Sequence, residues 1–206
     1  MKAGAIPLVR SNAPQGGQSL TSTNHVYGAG LNPHNFKRTV GGSNGADAAM
    51  VVSKCVPFSI GCDHIGSMKY SAAFNGAVAL KMSRNRTTND GISFPNRVRY
   101  ESFNHLQFTT GPIGTSVSDC VLGTKVQLDA DVQFADPNLK PSEWNEDAFL
   151  AAQDVSDIKP KIGILQDSPF LPTGAAVKRA VYYAEFTLKR LGYEVVPFFL
   201  TDEVWR

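Results

Sequence analysis

The 206 residues predict an α/β fold. Residues 161–165 form a short apolar run. Residues 173–191 repeat Val177, Val181, Ala184, Leu188 and Leu191 at helical spacing and stop before Gly192, and Tyr193-Glu194-Val195-Val196 returns as a strand. Strand, long helix, strand is a βαβ unit, and its crossover makes the two strands parallel. Upstream, short strand candidates alternate with alanine-rich stretches across Gly/Ser loops. With 42% hydrophobic and 18% charged residues, the chain has apolar material for a core and too little charge for a disordered polymer.

Residues 4–9 are apolar and read as a first strand. The Gly- and Asn-rich residues up to 40 follow as turns. Gly41-Gly42-Ser43-Asn44-Gly45-Ala46-Asp47 is a small-residue loop running into Ala48-Ala49-Met50-Val51-Val52, which predicts a buried helix capped by Ser43 or Asn44. Residues 57–61 form a strand candidate that enters a second turn, Asp63-His64-Ile65-Gly66-Ser67, and residues 71–80 are another small-residue stretch. Residues 83–111 are polar, basic and turn-rich and read as surface loop. Residues 115–126 then place Val117, Val121 and Leu122 on one helical face behind a Ser116-x-x-Asp119 start signal. Residues 129–160 are acidic and interrupted by prolines, a long connection with one short helix around 144–152.

Charge is uneven. Residues 1–118 hold 11 Lys and Arg against 4 Asp and Glu, whereas residues 119–206 hold 9 against 14. Lys81, Arg84, Arg86, Arg97 and Arg99 make segment 81–99 a candidate contact for an anionic partner, RNA or lipid head groups, or else a solvated basic face. The longest apolar run, residues 195–200, falls far short of the roughly 20 residues that span a bilayer. Pro7 and Arg10 interrupt any apolar signal region. Three cysteines, Cys55, Cys62 and Cys120, form no C-x-x-C pair, so no disulfide framework, metal site or cofactor is implied and a reducing compartment fits. The expected location is intracellular, with the mitochondrion ahead of the cytoplasm because no acidic residue precedes Asp47.

Two hydroxyls sit in special turns: Ser43 after a glycine pair at a helix start, and Ser67 after a glycine at a strand end. Such positions expose Oγ and leave backbone N–H groups free to donate, the combination that acyl transfer requires. A phosphate cradle is disfavoured, since the first loop lacks the lysine of G-x-x-x-x-G-K-[ST].

These motifs resemble the amidase signature family, in particular its fatty acid amide hydrolase-like branch. Gly41-Gly42-Ser43-Asn44-Gly45 is similar to that family's G-G-S-S-G-G loop, and Gly61-Cys62-Asp63-His64-Ile65-Gly66-Ser67 to its G-T-D-x-G-G-S turn, with the expected spacing of 24 positions from one serine to the other. Ala73-Phe74-Asn75-Gly76 and Leu80-Lys81 resemble A-F-C-G and G-L-K-P. Gly111-Pro112 resembles the G-P-M-A-R-S-V helix start, and Arg10-Ser11-Asn12 resembles a T-N strand end. The resemblance implies a mixed sheet flanked by helices. It also implies Ser67 as nucleophile, Ser43 as a relay in a cis peptide, and the N–H groups of His64, Ile65, Gly66 and Ser67 as the oxyanion hole.

The family's base is a lysine well upstream of the first loop. Lys2 and Lys37 fall on the wrong segments, and Lys69, Lys54 and Lys81 are the nearest substitutes. A serine hydroxyl needs a base, and a lysine serves only where a buried pocket holds it neutral. Ile65 replaces the first glycine of G-G-S, and Cys62, Asn44, Ser71 and Met82 are further departures. The expectation is a partial amidase-like domain with a signature region at 1–128, an acidic connection at 129–160 and a βαβ unit at 161–206. It would be catalytically incomplete alone and a structural subunit of a larger assembly. The alternative is half of a split serine amidase, hydrolysing linear C–N bonds with a lysine from another chain, such as a separate amidase N-terminal half. Uncovered strand edges and apolar faces call for such partners.

Overall fold

The structure, a computed structural model, describes residues 4–89, 91–92, 108–128, 136, 139, 143–155, 159–168 and 171–199. It divides into two compact units, residues 1–144 and 145–206. Arg97, Arg99 and most of the acidic connection lie outside the described residues.

In the first unit, residues 4–9 form no strand, a correction to the sequence expectation. Ile6, Leu8 and Val9 are 80%, 67% and 61% exposed, so apolar character alone supplied no ladder partner. Two small hairpins follow, β1 (Thr23–Asn24) with β2 (Gly28–Ala29) and β3 (Leu31–Asn32) with β4 (Asn35–Thr39). Asparagine side chains fix these turns: Asn24 Oδ1 accepts from the N–H of Val26 and Tyr27, and Asn32 Oδ1 from that of His34.

The first serine loop leads into α1 (Gly45–Val52). Strand β5 (Ser59–Asp63) and the second turn lead into α2 (Ser67–Asn75), which ends at Gly76 with φ +74° in the left-handed region. Strand β6 (Val78–Ala79), strand β7 (Thr109–Gly114) and α3 (Val117–Leu128) complete the unit. The sheet is antiparallel in the order β5-β7-β6, with Asp63 opposite Thr109 and Ser59 opposite Ile113. Ala48 of α1, Met68 of α2 and Ile113 of β7 form the buried cluster.

Strand β7 corrects the reading of 83–111 as loop. All six of its residues are buried, in the centre of the sheet. Helix α3 starts where expected, and its capping box closes. Asp119 Oδ2 accepts from the N–H of Thr115 and Ser116, and Ser116 Oγ accepts from the N–H of Asp119. Its inward face was misread. Cys120, Gly123, Thr124 and Leu128 are buried, whereas Val117 and Leu122 are 69% and 53% exposed. Small residues let the helix approach β7, and the larger apolar ones face out.

The second unit contains the strand, helix and strand expected over residues 161–196. Helix α4 (Glu146–Gln153) is capped by Asn145, whose Oδ1 accepts from the N–H of Ala148. Strands β8 (Ile162–Ile164) and β9 (Val195–Pro197) pair in parallel, joined through α5 (Ala175–Arg190). Asp167 fastens the loop after β8, accepting from the N–H of Thr173 and from Lys178 Nζ, and the Lys178 bond leads in holding its carboxyl well below the ordinary range. No residue of α5 is fully buried, and Val177, Tyr182, Tyr183 and Phe186 are exposed. Among the described residues no helix is long and apolar enough to cross a membrane.

Candidate functional site

Ser43 is 6% exposed and lies in the loop before α1. The Gly42–Ser43 peptide bond is cis, and neither flanking residue is proline. Asn44 occupies the N-cap position without capping; its Nδ2 donates instead to Asp47 Oδ2 at 2.9 Å. The group that meets the first helical N–H comes from elsewhere: Ser22 Oγ accepts from Gly45 N at 3.0 Å. Sequence reading passed over Ser22, because a lone serine among turn residues carries no local signal of a contact 23 positions away.

Ser67 is the first residue of α2 and half-buried. Its turn is fastened by Asp63, a fully buried carboxylate whose Oδ1 accepts from Gly66 N at 2.6 Å and Oδ2 from Met68 N at 3.0 Å. Gly66 takes φ +125°, a conformation that a side chain resists, and the Tyr70 ring lies where its Cβ would stand. Ile65 does not adopt a positive φ, and its side chain is 71% exposed. A β-branched residue therefore meets no backbone conflict at this position, because Gly66 alone in the turn takes a positive φ.

Among the described residues, the hydroxyls of Ser43 and Ser67 enter no hydrogen bond, and neither do the backbone N–H groups of His64, Ile65 and Ser67. Gly66 differs from the sequence expectation, for its N–H is committed to Asp63. His64 packs against Phe108 with ring centroids 4.9 Å apart and planes tilted by 50°, and both its ring nitrogens are buried without a partner, as is Asn44 Oδ1.

Lys69 and Lys54 are exposed and Lys81 is half-buried. At the surface, Lys69 and Lys54 lack the desolvating pocket that a lysine base requires. Beside the first loop, the Cys62 thiol is pushed up, first by burial and then by the carboxylates of Asp47 and Asp63. Burial also raises Cys120, whereas Cys55 is exposed.

The first unit thus presents two loops that each bring a serine to a helix start, one through a cis peptide and one through a carboxylate-fastened turn with open N–H donors. The chain belongs to the amidase family, whose model matches residues 1–203. It is 28% identical over 195 residues to the vitamin D3 hydroxylase-associated protein of Gallus gallus, covering 95% of this chain and 40% of that protein. It is 26% identical over 197 residues to fatty-acid amide hydrolase 1 of Sus scrofa, covering 95% of this chain and 32% of the relative. A solved fatty acid amide hydrolase superposes with a TM-score of 0.78 at 25% identity, over 92% of this chain and 32% of that one. The chain thus spans about a third to two-fifths of the length of these relatives.

Proposed function

We propose that this chain is the nucleophile-bearing part of a fatty acid amide hydrolase-like amidase, incomplete alone, which hydrolyses linear C–N amide bonds once another polypeptide segment supplies the base. Ser67 Oγ attacks the amide carbonyl carbon, and its proton passes through Ser43 to that base. The developing oxyanion faces the N–H groups of His64, Ile65 and Ser67. The C–N bond then breaks, the amine leaves with the proton, and water hydrolyses the resulting ester of Ser67.

The observation that carries the reading is the second turn, where Asp63 holds Gly66 and Met68 so that Ser67 and three open donors stand at the head of one helix. The relatives named fatty acid amide hydrolase support the substrate class. A non-catalytic reading, a structural subunit of a larger assembly, draws on the outward apolar residues of α3 and α5, which suit a covering partner.

A fluorophosphonate probe separates the two readings when applied to the native protein purified with whatever accompanies it. Labelling of Ser67, abolished by Ser67→Ala, and a lysine-bearing partner among the accompanying chains are expected. An unlabelled Ser67 in the intact assembly, beside a serine hydrolase that labels, overturns the catalytic reading in favour of the structural one.

A further inference from the structure

Ser22 lies 21 residues upstream of Ser43 and is 1% exposed. Its Oγ is 2.9 Å from Gly41 O, 3.2 Å from Ser43 O and 3.0 Å from Gly45 N. A hydroxyl has one proton and two lone pairs. The proton is shared between the two carbonyls, and one lone pair receives the Gly45 N–H. This single oxygen therefore holds the residue before the Gly42–Ser43 pair, the carbonyl of Ser43 itself and the first amide of α1.

Residues 19–22 also wall the loop from behind. A Cβ built on Gly42 would stand 2.5 Å from Ser19 O and 2.7 Å from Thr21 N, so the loop packs this closely against the segment only as glycine. Gly41, Gly42, Ser43, Asn44 and Gly45 are all buried, and water cannot readily replace a lost partner among them.

We infer that Ser22 is a positioning residue for Ser43: it fixes the backbone on both sides of Ser43 and thereby aims the Ser43 hydroxyl at the proton path from Ser67. This inference rests on the reading of Ser43 as relay. Ser22 itself touches neither substrate nor nucleophile. Its removal leaves Gly45 N–H unpaired and lets the loop drift, and a drift on the order of 1 Å at a reacting group costs up to about a hundredfold in rate.

The test uses Ser22→Ala, Ser43→Ala and the double variant in the native assembly, with two readouts. Hydrogen exchange at the Gly45 amide is expected to accelerate about tenfold or more in Ser22→Ala while the Gly66 amide is unchanged, the size expected for one lost buried hydrogen bond. Unchanged Gly45 protection overturns the inference.

The rate of Ser67 labelling by a fluorophosphonate is expected to fall about tenfold to a hundredfold in Ser22→Ala. In the Ser43→Ala background the same change is expected to alter the rate less than about twofold, because a residue acting through Ser43 has nothing left to aim. An undiminished loss in that background shows Ser22 to be structural and overturns the inference. A Ser43→Ala protein that labels at the wild-type rate removes the relay reading and this inference together, leaving Ser67 as nucleophile. Absence of labelling in the wild type removes both and the amidase reading with them. Should Ser22→Ala fail to fold, Ser22→Cys keeps the size with a weaker donor and is expected to show an intermediate loss on both readouts.

Discussion

Asp63→Ala removes the fastening of the Ser67 turn. Asp63 is fully buried and accepts two backbone hydrogen bonds, at 2.6 Å from Gly66 and 3.0 Å from Met68. Hydrogen bonds to a charged acceptor contribute about 1.5–3 kcal/mol each, and a carboxylate at a helix N-terminus adds about 0.3–1 kcal/mol. Two bonds plus the dipole give about 3–7 kcal/mol gross. Relaxation of the turn and water reaching the freed amides in the variant offset part of this, which leaves an expectation of about 2–4 kcal/mol. Asp63→Asn retains one acceptor but turns an amide donor toward the second N–H, so it should fall near the lower end. Urea unfolding of the intact protein reads the cost, and hydrogen exchange at Gly66 and Met68 reads its location. A loss under about 1 kcal/mol with both amides still protected would refute the claim that this carboxylate holds the turn.

Two further outcomes follow from the geometry. Ile65→Gly should change the rate of Ser67 labelling less than about threefold, because Ile65 needs no positive φ and points to solvent; a gain of tenfold or more would show that the β-branched residue had been distorting the donors. The Asp119 carboxyl is held below its ordinary value, first by the Thr115 hydroxyl and then by Ser116. A carboxyl depressed in the folded state contributes stability above its unfolded value of about 3.9 and loses it as pH falls through the folded one. The difference in melting temperature between wild type and Asp119→Ala should therefore be full at pH 6 and close below about pH 4; a pH-independent gap would show that the cap does not titrate.

The βαβ unit was legible because its signals are local. Helical spacing in α5, Gly192 at its end and β-branched residues in β9 all act within a few positions. The start of α3 was legible for the same reason, since Ser116 and Asp119 satisfy one another's neighbours. Strand β7 was not. Pro112 lacks a ladder donor and normally argues against a central strand, yet the strand accommodates it: Pro112 O accepts from Leu80 N at 3.0 Å, and its partner position is Ile60. At the candidate site, the two serine turns could be read from spacing, whereas the groups that hold them could not. Ser22 reaches the first loop from 21 residues away, and Asn32 and Asn75 tie the hairpins to α2 through backbone carbonyls at separations of 42 and 35 residues. Side chain to backbone contacts at such distances leave no periodic trace in the sequence.

Asn75 has a mechanical meaning. Its Nδ2 donates to Ser71 O, within its own helix, and to Val40 O, immediately before the first serine loop, both at 2.7 Å. Helix α2 thus carries Ser67 at one end and, through one carboxamide at the other, a clamp on the strand of chain that leads to Ser43. One carboxamide therefore joins the element that carries Ser67 to the segment that leads to Ser43.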